Sequence, residues 1–374
     1  MDDCSGLDGK QHPGKSKIIK KRVTWQLLKI TQKSYPNSEA GVLTPSLNKA
    51  ILSESFGQKA LPETVRYVFE SMMAIDPAYT TKTYAEAERV KNQIQKNLAL
   101  GVDVDFEHQG SVPLNTHIKI HSDLDILAII TQFETLEHPQ EPAVRYLGDP
   151  VADLRNLRGN IYTTLSGKFP EAEVDNTKPK AVSICKGSLL RRFDVIIGNW
   201  YNTNDYARSS DKKDRGIYIY DKGEGNRFAD YPFSHMAAVD VKANRIFNDN
   251  FRRLIRFLKS LKMDAEPMVE LSSFMITSAI YHMADGDLSV NNNNSTRLLV
   301  NVSKHLTMLI DNPIYRRALL SPNGRELLFA ADEAGKVAQF RRLKTELDET
   351  IADLAEELDS NSGFFHIPYL SAIA

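Results

Sequence analysis

Two aspartates, about a third of the way along the chain, have the side-chain type and the spacing needed to bind a metal ion together. Asp123 and Asp125 lead into an apolar run that is typical of a buried strand over Asp125–Ile130. Side chains two residues apart on a strand point to the same side, so the two carboxylates should converge. Carboxylates that close repel each other unless a cation lies between them. Their oxygen ligands favour magnesium or manganese.

A third carboxylate is needed to hold two ions, and Asp194 is the best candidate. It lies near the start of the apolar run Phe193–Ile197, where propensity and burial both disfavour an acidic side chain. A metal ion shared with Asp123 and Asp125 would stabilise it there. Two such ions, about 3.5–4 Å apart, could activate an attacking hydroxyl and neutralise a leaving pyrophosphate.

The dipeptide Gly110-Ser111, upstream of this pair, could bind phosphate. Glycine lets a backbone approach phosphate closely, and the next residue offers an N–H and a hydroxyl. A helix beginning after Ser111 would add to this site. Chance copies of both motifs also occur: Gly187-Ser188 is interpreted as a turn, and Asp103-Val104-Asp105 is expected to precede no apolar strand.

The ordered set of motifs resembles the polymerase β-like nucleotidyltransferase superfamily. Within it, the set is most similar to the group of oligoadenylate synthases, cyclic GMP-AMP synthases and bacterial CD-NTases. The resemblance spans roughly residues 84–285 and rests on Gln109–Ser111, Thr116, Ser122–Asp125, Phe193–Val195, Arg252–Lys259, Leu271–Phe274 and Ser278–His282.

This resemblance implies an α+β fold, in which a nucleotidyltransferase core with a mixed sheet packs on a helical C-terminal lobe, with a cleft between the two lobes. It implies an enzyme that uses two Mg²⁺ ions, for which Mn²⁺ can substitute, to join NTPs with release of pyrophosphate. The substrates would be ATP, with GTP or a pyrimidine NTP as further candidates. The product would be a cyclic di- or trinucleotide second messenger for a downstream effector in bacterial antiphage (CBASS) signalling.

The resemblance also implies roles for individual residues. Asp123, Asp125 and Asp194 would be catalytic and would bind metal. Lys259 and Ser273 would grip the donor triphosphate, with Arg256 assisting. The remaining nucleotide-binding candidates are Gln109, Gly110, Ser111, Thr116 and Phe274.

Two of these assignments have structural alternatives. Lys259 could be an ordinary solvated lysine, and Phe274, the candidate for stacking on a base, fits core packing equally well. The chain also departs from the family, most members of which have a proline soon after the third aspartate, because Ile197-Gly198-Asn199-Trp200 stands there instead. That departure leaves the acceptor side of the pocket undefined.

Other functions fit the same motifs. The chain could transfer a nucleotide to an RNA 3′ end or a protein hydroxyl, or it could be an inactive scaffold that binds a partner through the apolar stripe at 340–358. The basic run near the N-terminus is too small for an enzyme that binds tRNA, which favours a second-messenger synthase. The presence of all three carboxylates argues against an inactive scaffold.

Composition excludes several classes of protein. The 374 residues carry a net charge of −1, and 42% are hydrophobic and 25% charged, as in ordinary globular proteins. No apolar run is long enough to span a bilayer, so no membrane partner is expected. The two cysteines, Cys4 and Cys185, form neither a disulfide framework nor a zinc site, which fits the cytoplasm. Without a zinc insertion or a strong basic stripe, strong nucleic-acid binding is not expected.

The chain is predicted to comprise a flexible tail (1–20), a nucleotidyltransferase core with N-terminal helices (21–245) and a helical lobe (246–374). Within these, spacing predicts a helix over 84–100 and a surface loop over 202–215, with helices from about residue 248 onward. Further strands are expected at 181–185, 193–197 and 217–220.

Overall fold

The computed structural model describes residues 62–99, 101–118, 122–290 and 295–360, so the predicted tail lies outside it. The described helices are α1 (Glu63–Met72), α2 (Pro77–Gln95), α3 (Pro150–Lys168), α4 (Asn204–Ser209), α5 (Pro232–Arg245), α6 (Asn250–Asp264), α7 (Ser273–Tyr281), α8 (Asp285–Leu288), α9 (Ser295–Asp311), α10 (Pro313–Arg317) and α11 (Glu333–Ser360). The described strands are β1 (Val104–Gln109), β2 (Leu124–Leu136), β3 (Glu173–Asp175), β4 (Ala181–Cys185), β5 (Phe193–Asn202), β6 (Gly216–Asp221) and β7 (Asn226–Asp230).

The strands form one mixed sheet in the described part of the chain. Its main order is β1-β2-β5-β4-β3, and β6 also pairs with β5 and carries β7 on its other edge. The central strands β2 and β5 run parallel, whereas every other described pair is antiparallel. Together with the helices, this mixed sheet confirms the predicted α+β fold.

The two faces of the sheet pack differently. On one face, Ile126 and Val195 join a core with apolar residues of α2 and α3. On the other face, Leu127 and Ile196 join a smaller core that includes Phe233 of α5. Because side chains alternate along a strand, Asp125 and Asp194 lie on the same face as Leu127 and Ile196.

The C-terminal helices form a separate core around α6. Its buried apolar residues, among them Leu254 and Phe257, pack with α1, α7, α9 and α11. The stripe at 340–358 belongs to this core, since Phe340 and Leu347 are fully buried. It is therefore internal packing, which removes the main support for a partner-binding scaffold. α11 also meets the start of α1, where the Thr64 amide donates to the Glu357 carboxylate.

Several elements differ from the sequence-based predictions. The helix predicted over 84–100 spans Pro77–Gln95, because Asp76 caps it by accepting from the Ala78 amide. The segment predicted as a loop over 202–215 contains α4 and a 3₁₀ turn, Lys212–Asp214. The helical region begins earlier than 248, with α5. Helix α3 and strand β7 were not predicted.

Asp103-Val104-Asp105 precedes no apolar strand, as expected, because strand β1, which begins at Val104, is not apolar. The strand has polar residues at most positions, as an edge strand can. Asp105 accepts a hydrogen bond from the Trp200 indole (2.8 Å), which gives it a structural partner. The Gly187-Ser188 turn is confirmed, with Gly187 at φ +59° and a hydrogen bond from the Leu189 amide to the Lys186 carbonyl. No described helix has the length and apolarity needed to cross a membrane.

Candidate active site

The sheet places four predicted or neighbouring site residues in one row. Asp125 of β2 pairs in register with Asp194 of β5, and on their outer sides Gln109 pairs with Asp125 and Ser183 with Asp194. In-register neighbours on adjacent strands lie about 5 Å apart and project from the same face. Asp123 stands two residues before Asp125, just before β2 begins. The structure thus brings the three predicted carboxylates together at the start of the central strands β2 and β5.

Burial and the charges of neighbouring carboxylates raise the pKa of two of the three aspartates, Asp125 and Asp123. Burial, followed by the charges of Asp194 and Asp123, raises the pKa of Asp125 from its ordinary 3.8 to about 7. Burial, and then the charge of Asp194, also raises the pKa of Asp123, while Arg192 and Lys178 act in the opposite direction. Burial and the mutual repulsion of the carboxylates therefore disfavour their charged forms, and a cation bound among them would offset both effects.

Asp194 has two partners that sequence reasoning missed. The Lys178 ammonium lies 2.7 Å from Oδ2 of Asp194, and the Ser183 hydroxyl donates to Oδ1. Ser183 could have been found only from the register of the β4–β5 pair. Lys178 precedes β4 in a polar segment whose path depends on tertiary contacts, so no sequence signal pointed to it.

The donor set suits a hard divalent cation. Carboxylate oxygens are the ligands that Mg²⁺ and Mn²⁺ prefer, and a bound cation would offset both the burial and the neighbouring carboxylates that raise the pKa of Asp125. In the described part of the chain, however, no three His, Cys, Asp or Glu side chains stand close enough together to hold a metal ion. Lys178 contacts Oδ2 of Asp194, so a metal ion bound by that oxygen would either share it with the ammonium or displace the ammonium.

Gly110 touches the carboxylate row directly. Its φ is +86°, and a Cβ at this position would lie 2.7 Å from Oδ2 of Asp125. Only glycine suits both the backbone conformation and the space. The helix expected after Ser111 is absent; a turn follows instead, in which the Thr116 amide donates to the Ser111 carbonyl (2.9 Å). The phosphate-binding role of this loop remains a prediction.

Helix α6 holds the loop that follows Ser111. The side chains of Arg252, Arg256 and Lys259 donate in turn to the carbonyl oxygens of Leu114 (2.9 Å), Asn115 (2.5 Å) and Thr116 (2.9 Å). These three residues are four and three positions apart and so share one face of the helix. The helical core is thereby linked to the loop beside the carboxylates.

Comparison with known proteins assigns the family. Residues 239–352 match the family model of the cGAS/DncV-like nucleotidyltransferase C-terminal helical domain. The cyclic dinucleotide synthase CdnE of Yersinia aleksiciae is 30% identical over 323 residues, covering 84% of this chain and 83% of that protein. This chain belongs to the CD-NTase family. Its enzyme class is therefore that of the nucleotidyltransferases.

Two further proteins resemble this CD-NTase closely. A c-di-GMP synthase of a Lachnospiraceae bacterium is 32% identical over 278 residues, covering 67% of this chain and 77% of that protein. The solved structure of a STING-associated CdnE c-di-GMP synthase from Flavobacteriaceae sp. superposes with a TM-score of 0.68 at 26% identity. That superposition covers 87% of this chain and 98% of the other.

The two cations predicted to contact the donor triphosphate are buried in this CD-NTase. Lys259 is 4% exposed, and burial, followed by the charges of Lys262 and Arg256, lowers its pKa to about 7. Arg256 also donates to the Met72 carbonyl (2.9 Å) and pairs with Asp249 (3.2 Å). Lys259 is therefore no ordinary solvated lysine, yet its present partner is the Thr116 carbonyl. A contact of either side chain with phosphate remains a prediction.

The other nucleotide-binding candidates have varied surroundings. Ser273 is exposed at the first turn of α7, which Ser272 caps by accepting from the Met275 amide (3.1 Å). Phe274 is half-buried against the helical core, and its ring centroid lies 5.1 Å from that of His235. Thr116 is buried, and Oε1 of Gln109 is buried without a hydrogen-bond partner among the described residues. Their contacts with nucleotide remain predictions.

Proposed function

We propose that this CD-NTase is a Mg²⁺-dependent cyclic dinucleotide synthase. The observation that carries the proposal is the in-register pair Asp125–Asp194 on adjacent parallel strands, with Asp123 just before the first of them. The named activities of the relatives support the same conclusion, because they are described as cyclic dinucleotide and c-di-GMP synthases. A cyclic dinucleotide is thus preferred over the trinucleotide.

The reaction consists of two successive nucleotidyl transfers. A ribose hydroxyl oxygen of the acceptor bonds to the α-phosphorus of the donor, the bond to the β-phosphate oxygen breaks, and pyrophosphate leaves with that electron pair. The hydroxyl proton passes to solvent. A second transfer of the same kind closes the ring. Two Mg²⁺ ions, or Mn²⁺ in their place, would activate the hydroxyl and neutralise the leaving pyrophosphate.

Each carboxylate has a separate task in this scheme. Asp123 and Asp125, two residues apart at the start of β2, would hold the ion that binds the donor triphosphate. Asp194, on the neighbouring strand, serves the acceptor hydroxyl. The backbone N–H groups of Gly110 and Ser111 face the donor phosphates, where the close approach of Gly110 to Asp125 leaves no room for a side chain.

GTP is the first substrate to test, with ATP and the pyrimidine NTPs beside it. One relative and the superposed structure are named c-di-GMP synthases. The product would act in the cytoplasm on a downstream effector in antiphage (CBASS) signalling. The Flavobacteriaceae protein is named as STING-associated, which supports an effector of that kind.

The deciding experiment uses purified protein, labelled NTPs and Mg²⁺ or Mn²⁺, without added polymer. Products are treated with phosphatase and separated, and the mass of any resistant species is measured. A phosphatase-resistant cyclic dinucleotide that is absent with Asp123→Asn/Asp125→Asn supports the proposal. Label transferred to protein or added RNA, with no small cyclic product, would instead show a macromolecule-modifying enzyme.

A further inference from the structure

Lys178 has an unusual position for a cation beside a candidate metal site. Its ammonium lies 2.7 Å from Oδ2 of Asp194, whose other oxygen accepts from Ser183. Both oxygens of the third carboxylate therefore have protein partners. The side chain of Asp194 is 14% exposed and that of Lys178 is 32% exposed, so the lysine head group still reaches solvent.

The segment that carries Lys178 is held by a buried arginine. Arg158 of α3 is 2% exposed, and its guanidinium donates to the carbonyl oxygens of Lys178 (2.5 Å), Pro179 (2.8 Å) and Ala181 (2.8 Å). Its Nε also donates to Oδ1 of Asn176 (2.8 Å). Because Arg158 is buried and directs these hydrogen bonds to one short segment, it fixes the backbone from which the Lys178 side chain extends.

A second residue restrains the same segment from the other side. The amide of Lys222 donates to the Pro179 carbonyl (2.9 Å), and its ammonium donates to the Asn176 carbonyl (2.8 Å). The backbone at Lys178 is thus anchored at several points. Its long side chain, with four rotatable bonds, is the part that can change position.

Binding of a divalent ion changes the balance of charge at Asp194. In the metal-free protein, Lys178 offsets part of the charge of three neighbouring carboxylates. An ammonium and a divalent cation at the same carboxylate oxygen would repel each other strongly at this distance. A nucleotide that binds together with the metal brings phosphate groups to the site. A displaced Lys178 ammonium would be attracted to the nearest of these phosphates.

We propose that Lys178 is an exchangeable counter-ion: it neutralises Asp194 before loading and binds a phosphate of the acceptor nucleotide once the divalent ion has taken its place. This rests on the proposed function, because it assigns Asp194 to the acceptor side. It makes the lysine a competitor of the metal in the free enzyme and a substrate ligand in the loaded one.

Calorimetric titration with Mn²⁺ in the absence of nucleotide tests the first half. Lys178→Met should bind Mn²⁺ about 3- to 10-fold more tightly than wild type, because a competing positive charge is gone. Lys178→Arg should stay near wild type. Lys180→Met is the matched control, since Lys180 is exposed on the same segment and its ammonium lies over the Phe228 ring at 4.3 Å. Unchanged or weaker Mn²⁺ binding in Lys178→Met overturns the proposal.

Titration with a non-hydrolysable GTP analogue in Mg²⁺ tests the second half. In Lys178→Met, one of the two nucleotides bound per chain should be weakened about 3- to 10-fold, while the other is unchanged. Equal binding of both nucleotides in variant and wild type overturns the exchange. Thermal melting of each variant checks folding. If wild type forms no cyclic product, the proposed function fails, whereas the Mn²⁺ titration still decides the competition by Lys178.

Discussion

Gly110 and Asp125 are in such close approach that a Cβ on residue 110 would stand 2.7 Å from a carboxylate oxygen. The loop that we propose to bind phosphate is thereby placed in contact with the strand that we propose to bind metal, across the β1–β2 pair. Any side chain at residue 110 must push away either the loop or Asp125. The Gly-Ser motif alone gave weak evidence that residue 110 must be glycine. The folded protein supplies the steric reason.

Gly110→Ala should therefore impair activity more than stability. The clash displaces Asp125, so product formation should fall about 100-fold or more, whereas the positive φ alone costs on the order of 1–3 kcal/mol. Gly225→Ala is the matched control: its φ is +62°, yet a Cβ there would meet nothing within 4 Å. Initial rates and melting temperatures of both variants decide the question. Equal losses of activity in the two would show that backbone strain, rather than contact with Asp125, is responsible.

The raised pKa of Asp125 predicts how the stability of the metal-free protein depends on pH. Its folded pKa of about 7 lies above its ordinary 3.8, so between these values the folded state binds more protons than the unfolded state. Stability should then fall as pH rises through this window, by at most about 4 kcal/mol. Asp125→Asn should remove most of that fall, and Mg²⁺ at pH 8 should stabilise wild type but not the variant.

Chemical denaturation of the metal-free protein at pH 5 and pH 8 measures this effect. Asp287→Asn, a change of an exposed aspartate, is the control and should follow wild type. A variant Asp125→Asn with the same pH dependence as wild type would show that other groups cause the loss.

The hydrogen bonds from α6 to the loop predict a coupling between the helical core and the loop beside the carboxylates. Arg252→Met removes the bond to the Leu114 carbonyl, and the loop should open more often. Hydrogen exchange at the Thr116 amide, which donates to Ser111, should become faster by about 5- to 10-fold, the equivalent of one hydrogen bond. Arg253→Met is the control, because Arg253 donates to Asn250 within the same helix. Unchanged exchange in Arg252→Met would show that α6 does not hold this loop.

Lys259 can be tested for its two partners separately. If it leaves the Thr116 carbonyl for the donor triphosphate, Lys259→Met should weaken NTP binding about 10- to 150-fold, the value of a charge-assisted contact. If it only holds the loop, its effect should match that of Arg252→Met. Calorimetry with a non-hydrolysable NTP distinguishes the two, and NTP affinities that are equal in both variants reject the triphosphate contact.

The sequence was informative where local spacing decides the outcome. The Asp-x-Asp pair before an apolar strand, and a lone Asp in a later strand, predicted a carboxylate row that the register of β2 and β5 bears out. Helix α3 also had a readable pattern, with Asp149 as its cap, Pro150 at its start, and Leu154, Leu157, Ile161 and Leu165 at helical spacing, but it was overlooked.

The remaining contacts depend on tertiary packing and could not be predicted. Lys178 reaches Asp194 from a backbone that is held by Lys222 and by Arg158, which lies on a helix packed against the opposite face of the sheet. Two of the three donors of α6, Arg256 and Lys259, looked like triphosphate ligands in sequence, whereas the fold brings the loop carbonyls to them first. Spacing along one segment predicts neither contact. The Lys178–Asp194 contact depends on elements that lie on opposite faces of the sheet, and the contacts of α6 depend on elements more than a hundred residues apart.

Asp194→Asn should reduce turnover far more than it reduces NTP affinity. Asp123 and Asp125 can hold the donor triphosphate side without it, whereas the acceptor hydroxyl depends on the carboxylate supplied by β5. Rates should fall about 10³-fold or more, with the loss in kcat, while the affinity for a non-hydrolysable NTP changes less than about threefold. Ser183→Ala is the matched control, because it removes a hydrogen bond to Oδ1 but leaves the carboxylate in place. A near-normal kcat combined with a collapse of NTP affinity in Asp194→Asn would move this residue to the donor side and leave the acceptor hydroxyl without an assigned carboxylate.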